Sequence, residues 1–167
     1  MTIIMSVEIF DLDPAVLDPP YNFDFTNLED DGTKYQRGGM DYKRPYGWNK
    51  VALNVKDKYE SRDWMEDGGG EWVVSYHGTS KQCAEEIART KYDLTKGKGF
   101  SYGRGIYSSS DLAVAQGYAR AFTFENNQYQ VIIQNRVNLK GTAQHGNVFV
   151  TKEEKDIRPY ALLYKKV

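Results

Sequence analysis

Apolar and β-branched residues occur along this chain in short runs, most of which alternate with polar residues or are only a few residues long. Both patterns are typical of β-strands rather than of long helices. Six runs predict strands: residues 48–55, 71–76, 105–108, 129–137, 147–150 and 160–164. Gly, Asn, Asp or charged residues separate them, as expected for turns.

Two segments show helical spacing instead. Ser80 is a suitable N-cap for a helix over residues 81–89, whose apolar positions are Cys83, Ala84, Ile87 and Ala88. We expect Cys83 to pack on the apolar side of this helix. Asp111 is a suitable N-cap for a second helix that continues through residue 119. Two helices framed by several strands, without βαβ alternation, predict an α+β fold rather than a doubly wound sheet.

Length and composition are typical of one ordinary domain. The chain has 167 residues, of which 40% are hydrophobic and 27% charged. One cysteine and two histidines exclude a disulfide framework and a Cys/His zinc site, so we expect no metal. No apolar run approaches the ~20 residues of a membrane span, and no signal peptide is recognisable. We therefore expect a cytoplasmic protein, or one that a specialised secretion machine delivers into a host cell.

Charge divides the chain into an acidic beginning and a basic remainder. Residues 1–33 contain eight acidic residues and no Lys or Arg, so the rest, with 22 basic against 15 acidic residues, carries +7. Prolines interrupt the acidic part, and it predicts an N-terminal arm over residues 1–41 that precedes a domain over residues 42–167. The basic domain favours an anionic partner, either a phosphate-bearing cofactor or a nucleic acid.

Three short motifs follow one another at the ends of predicted elements. They are Tyr76-His77-Gly78-Thr79-Ser80, Tyr102-Gly103-Arg104-Gly105-Ile106-Tyr107 and Ala115-Gln116-Gly117-Tyr118, followed near the C-terminus by residues 147–150 and 158–164. Together they resemble the nicotinamide-binding core of ADP-ribosyltransferases of the poly(ADP-ribose) polymerase, or His-Tyr, type. In that family, too, the second tyrosine comes eleven residues after the first, as Tyr118 follows Tyr107 here. The resemblance covers residues 72–164 and implies split antiparallel β-sheets with flanking short helices.

The resemblance also implies a co-substrate, NAD, and a role for each matching residue. His77 would hydrogen-bond the nicotinamide ribose, the Gly78 backbone would hold the carboxamide, and Tyr107 and Tyr118 would sandwich the nicotinamide ring. We expect Gly78 to serve because no side chain obstructs the ligand. Thr79 and Gly105 belong to the same NAD-binding set, and Arg104, Lys96 and Lys98 are candidates to contact the pyrophosphate.

The chain departs from the family at two positions. Polymerising members have a glutamate where this chain has Val148, which favours a mono-ADP-ribosyltransferase or an inactive member. A serine that contacts the carboxamide is replaced by Ala115, and Ser109, or its neighbours Ser108 and Ser110, would have to substitute for it.

The acceptor side is less defined. If a carboxylate must deprotonate an acceptor hydroxyl, Glu153 is our candidate, beside Glu154, Asp156, Asp111 and Glu125. We expect a protein acceptor modified on a Ser or Thr hydroxyl, with ubiquitin as one candidate, and a monomer without membrane or nucleic-acid partners. Residues 42–48, basic and aromatic, either recognise substrate or form a loop that leads into a strand.

Two other interpretations stay open at the level of sequence. One is a non-catalytic module that binds NAD, ADP-ribose or nucleic acid. The other is the related NAD-dependent RNA 2′-phosphotransferase, although its arginine-rich phosphate site and His-Val-His-like segment are not visible here.

Overall fold

The computed structural model describes residues 9–66, 69–94 and 104–167. Its strands are β1 (Phe23–Asp24), β2 (Tyr35–Arg37), β3 (Met40–Tyr42), β4 (Asn49–Ala52), β5 (Val73–Thr79), β6 (Ile106–Ser109), β7 (Phe122–Phe124), β8 (Asn127–Val137), β9 (Thr142–His145), β10 (Val148–Thr151) and β11 (Ile157–Lys166). Its α-helices are α1 (Lys81–Arg89) and α2 (Leu112–Gln116), and single 3₁₀ turns occupy Pro14–Val16, Pro19–Tyr21, Leu139–Gly141 and Glu154–Asp156.

The strands form one nine-stranded sheet in the order β1-β4-β11-β8-β5-β6-β10-β9, with β7 added to β8, while β2 and β3 form a separate hairpin. Every strand pair in the described part of the chain is antiparallel. The mixed architecture, mostly antiparallel with few short helices, confirms the prediction of an α+β fold at that level of detail.

Both predicted helices are present with their predicted caps. The Ser80 side chain accepts a hydrogen bond from the Cys83 amide, and the Asp111 side chain accepts one from the Ala113 amide. Helix α1 covers one face of the sheet through Ala84 and Ala88. Cys83, however, is exposed, so its expected packing was wrong. The buried stripe of α1 lies one position further along, on Ala84, Glu85 and Ala88.

The hydrophobic core begins well before Tyr42, which corrects the predicted start of the globular part. Ile9 and Phe10 are each 1% exposed, and the Phe10 ring meets the Tyr164 ring edge-on at 5.9 Å between centroids. The backbone N–H of Asp11 donates to the Glu85 carboxylate at 2.7 Å. Residues of the acidic segment therefore contribute apolar side chains to the core and keep their carboxylates outside it.

A weak junction divides the nine-stranded sheet. Strands β5 and β8 pair over seven residues, whereas β5 and β6 are joined by one pair, Tyr76 with Ser109. Strands β6, β10 and β9 thus form a second, smaller part of the sheet that diverges from the first beyond Tyr76. No helix in the described ranges is long and apolar enough to cross a membrane.

Candidate functional site

A cleft opens where β5 and β6 diverge. Its volume is about 920 Å³, within the range of small-molecule sites. Helix α1 and the segment after it form one wall, and α2 forms another. Most of the residues that the sequence singled out line this one cleft: His77, Gly78, Thr79, Gly105, Tyr107, Ser109 and Tyr118.

His77 stands on β5 where the two parts of the sheet separate. Its Nδ1 lies 2.6 Å from the backbone carbonyl oxygen of Tyr107 on β6. Because a carbonyl can only accept, Nδ1 carries the proton, and the neutral ring presents Nε2 as an acceptor. Burial lowers the pKa of His77, and the hydrogen bond to Tyr107 opposes that shift only in part. The cleft therefore holds an oriented, neutral imidazole near pH 7.

Gly78 is required by packing rather than by ligand approach. A Cβ on Gly78 would collide with the backbone carbonyl of Ala115 and would lie 2.8 Å from the amide nitrogen of Ala119. The missing side chain that was predicted to admit a ligand thus admits the backbone of α2. The close contact sets the end of α2 against β5, and the backbone N–H of Tyr118 donates to the Ala115 carbonyl at 3.0 Å. Gly78 in this way positions Tyr118 at the cleft.

The two tyrosines reach the cleft from different elements. Tyr107 is half-buried on β6, where it pairs with Val150 of β10. Tyr118 follows α2 and is 74% exposed, although it lines the cleft. An aromatic ring left open to solvent beside a cleft can stack on a flat heteroaromatic ligand at little cost in rearrangement.

The serines after Tyr107 are not equivalent. The Ser109 hydroxyl donates to the carbonyl of Asn147 at 2.7 Å and accepts from the Asp111 amide at 3.0 Å, so its bonding capacity serves the fold. Ser108 also lines the cleft, but its hydroxyl is buried without a hydrogen-bond partner, and its side chain projects from the opposite face of β6 to that of Ser109. Ser110 does not line the cleft. Ser109, the serine predicted to replace the missing contact to the carboxamide, thus has its hydroxyl engaged by the backbone.

Of the residues next to the expected pyrophosphate site, Gly105 lines the cleft and Arg104 does not. Gly105 lines the cleft and packs tightly on β10, since a Cβ there would lie 2.6 Å from a Val150 methyl group. Arg104 is exposed and precedes Gly105 without lining the cleft itself. Lys96 and Lys98 lie outside the described residues.

The candidate carboxylates are scattered. Glu153 lies outside the cleft, 3.7 Å from the Lys155 ammonium. Asp111 caps α2, the buried Asp156 accepts from the Asn138 amide group, and Glu125 lies in the tight turn between β7 and β8. Glu154 alone among these five lines the cleft, and its Oε1 accepts the backbone N–H of Leu94 at 3.0 Å.

Two parts of this site had no signal in the sequence. Helix α1 contributes Cys83 and Glu86 to the cleft wall, because the helix packs across the sheet beside the gap. The second histidine, His145, lies on β9 opposite Val148, and only the β9–β10 register shows this proximity.

Comparisons with known proteins do not assign the chain to a family. A scan against protein-family models and a search of curated proteins each find no match.

Proposed function

We propose that this protein is a mono-ADP-ribosyltransferase that transfers ADP-ribose from NAD to a protein hydroxyl and releases nicotinamide, on an ADP-ribosyltransferase-like fold. The observation that carries the proposal is the hydrogen bond from His77 Nδ1 to the Tyr107 carbonyl at 2.6 Å. It fixes an imidazole with a free acceptor nitrogen inside a cleft that Tyr107 and Tyr118 line. The resemblance in sequence and the convergence of its residues in one cleft support the proposal independently.

Each of these residues has its own role in the proposed reaction. Nε2 of His77 accepts a ribose hydroxyl, which orients the sugar. The rings of Tyr107 and Tyr118 hold the nicotinamide ring, and the edge of β5 at Gly78 offers backbone groups to the carboxamide. NAD supplies a glycosidic bond whose cleavage releases nicotinamide. Orientation of this kind contributes up to ~7–11 kcal/mol to catalysis.

Val148 decides between mono-transfer and polymer synthesis. It lines the cleft on β10 with an apolar side chain, where the polymerising members of the family have a glutamate. An apolar side chain cannot orient the hydroxyl of a previous ADP-ribose unit. Transfer therefore stops after one unit.

A non-catalytic module that binds NAD or ADP-ribose is the second candidate. Val148 and Ala115 favour it, since neither supplies a polar group to the cleft at a position where the family has one. The two candidates differ in one measurable property, which is cleavage of the glycosidic bond.

The test is incubation of the purified protein with labelled NAD, with and without ubiquitin and cell-lysate proteins. Released nicotinamide and label on protein are measured together. We compare His77→Ala with Gln82→Ala, an exposed position on the far side of α1 that does not line the cleft. Wild type and Gln82→Ala should label a protein, and His77→Ala should not.

Each other result has a defined meaning. Nicotinamide release without protein label would replace transfer by NAD hydrolysis. NAD binding without nicotinamide release would favour the binding module. Equal labelling by His77→Ala and wild type would contradict the proposed role of the imidazole.

A further inference from the structure

The β9–β10 hairpin places a second histidine beside the apolar position in the cleft. Val148 pairs with Ser109 of β6 on one side and with His145 of β9 on the other. Directly opposed residues of antiparallel strands project from the same face, with Cβ atoms about 4.5–5.5 Å apart. Ser109 and Val148 both line the cleft. His145 consequently projects from the same face of the sheet as Val148, one strand further out, although it does not itself line the cleft.

His145 is exposed, as a group that meets a macromolecular acceptor must be. The hairpin turn that follows it consists of Gly146, with φ +66°, and Asn147. Glycine adopts this backbone conformation without strain. The turn therefore fixes the register that brings His145 opposite Val148.

Among the carboxylates considered above, Asp111 follows the end of β6 that pairs with Val148, but its side chain accepts the Ala113 amide as the cap of α2. Strand β10 runs from Val148 to Thr151, and Thr151 pairs with Ile106 at the far end of β6. Glu154 comes after that far end and is bound to the Leu94 amide. Of the two residues that pair directly with Val148, only His145 has a titratable side chain.

We propose, on the basis of the function proposed above, that His145 is the general base for the acceptor and that the acceptor group is a protein hydroxyl. The hydroxyl proton passes to an imidazole nitrogen of His145 while the oxygen forms its bond to C1′ of the ribose. The bond from C1′ to nicotinamide breaks, and its electron pair leaves with neutral nicotinamide. The imidazolium then returns the proton to solvent.

The chemistry of the base selects the acceptor class. A Ser or Thr hydroxyl is protonated at neutral pH and needs a base to become a nucleophile, whereas a carboxylate acceptor needs none. Imidazole is the side chain whose charge changes nearest neutral pH. His145, opposite Val148, thus removes the proton of the acceptor hydroxyl. It does not replace the glutamate that chain elongation requires.

The experiment compares His145→Ala with Gln144→Ala in the labelled-NAD assay with ubiquitin and lysate proteins. Gln144 is also exposed and precedes His145 on β9, but it pairs with Phe149 and so projects from the other face. His145→Ala should lower protein labelling about 100-fold or more and leave the thermal shift caused by NAD unchanged. Added imidazole should restore part of the labelling, and Gln144→Ala should label as wild type does.

The chemical bond between ADP-ribose and the acceptor residue gives a second readout. Neutral hydroxylamine releases ADP-ribose from ester links to Asp or Glu but not from links to Ser or Thr, so the label should resist it. Three results would each overturn the inference but leave the proposed transferase activity standing. They are labelling by His145→Ala at the wild-type rate, a loss of labelling that imidazole does not rescue, and a label that hydroxylamine removes. Absence of labelling and nicotinamide release in wild type would overturn the proposed function, and this inference with it.

Discussion

Replacing Tyr118 with alanine should weaken NAD binding without unfolding the protein. Tyr118 is 74% exposed, so its side chain buries only about a quarter of the ~200 Å² that a fully buried tyrosine would bury. Removing this contact should lower the unfolding free energy by about 1 kcal/mol. Stacking of an aromatic ring on a base contributes about 1–3 kcal/mol. The dissociation constant should therefore rise about 5- to 150-fold.

Titration calorimetry with a non-hydrolysable NAD analogue measures this change, and thermal denaturation checks the fold. Tyr118→Phe should bind like wild type because it keeps the ring. Tyr21→Ala is the matched control, since Tyr21 is 64% exposed and does not line the cleft. An unchanged dissociation constant for Tyr118→Ala would refute the stacking role and, with it, the assignment of the cleft to nicotinamide.

Two further predictions concern the groups that shape the cleft. Gly78→Ala should lower the unfolding free energy by about 1–3 kcal/mol because its Cβ meets the backbone of α2. Gly117→Ala should lower the unfolding free energy far less, because its Cβ would lie 3.4 Å from the Val114 carbonyl. Chemical denaturation that finds the same loss of unfolding free energy in both variants would contradict this packing argument. His77 has a lowered pKa when folded, so the unfolded chain binds more protons in mild acid and stability should fall as pH drops through about 6.5. His77→Gln should lack this component between pH 7.5 and 5, and denaturation profiles with the same slope in both proteins would refute it.

The six predicted strands and both helices are present, each within a few residues of its predicted position. Long or strongly alternating segments such as residues 129–137 can be recognised as strands from their own residues. The observed strand β8 is longer than this prediction by only two residues. The strands that the sequence missed, β1, β2, β3, β7 and β9, have two to four residues. Segments this short show no periodicity, and they become strands because a neighbouring strand supplies hydrogen-bond partners.

The acidic segment shows how a composition argument can fail. Its charge and prolines predicted an arm outside the core, yet Ile9 and Phe10 are almost completely buried. A few apolar residues are enough to anchor a segment when the sheet offers an uncovered face. Net charge reports on the surface of a segment and not on where its apolar side chains pack.

The sequence by itself determined the motif residues of the candidate site, since each lies in or beside an element that local pattern predicts. Tertiary structure alone decided which serine hydroxyl is hydrogen-bonded, which candidate carboxylate lines the cleft and which residue pairs with Val148. Ser108 and Ser109 are neighbours of identical type, and only their partners distinguish them. His145 and Val148 come together through strand register, which is set by the turn between them and by pairing across the sheet. Such properties depend on contacts between elements, and no local pattern along the chain encodes them.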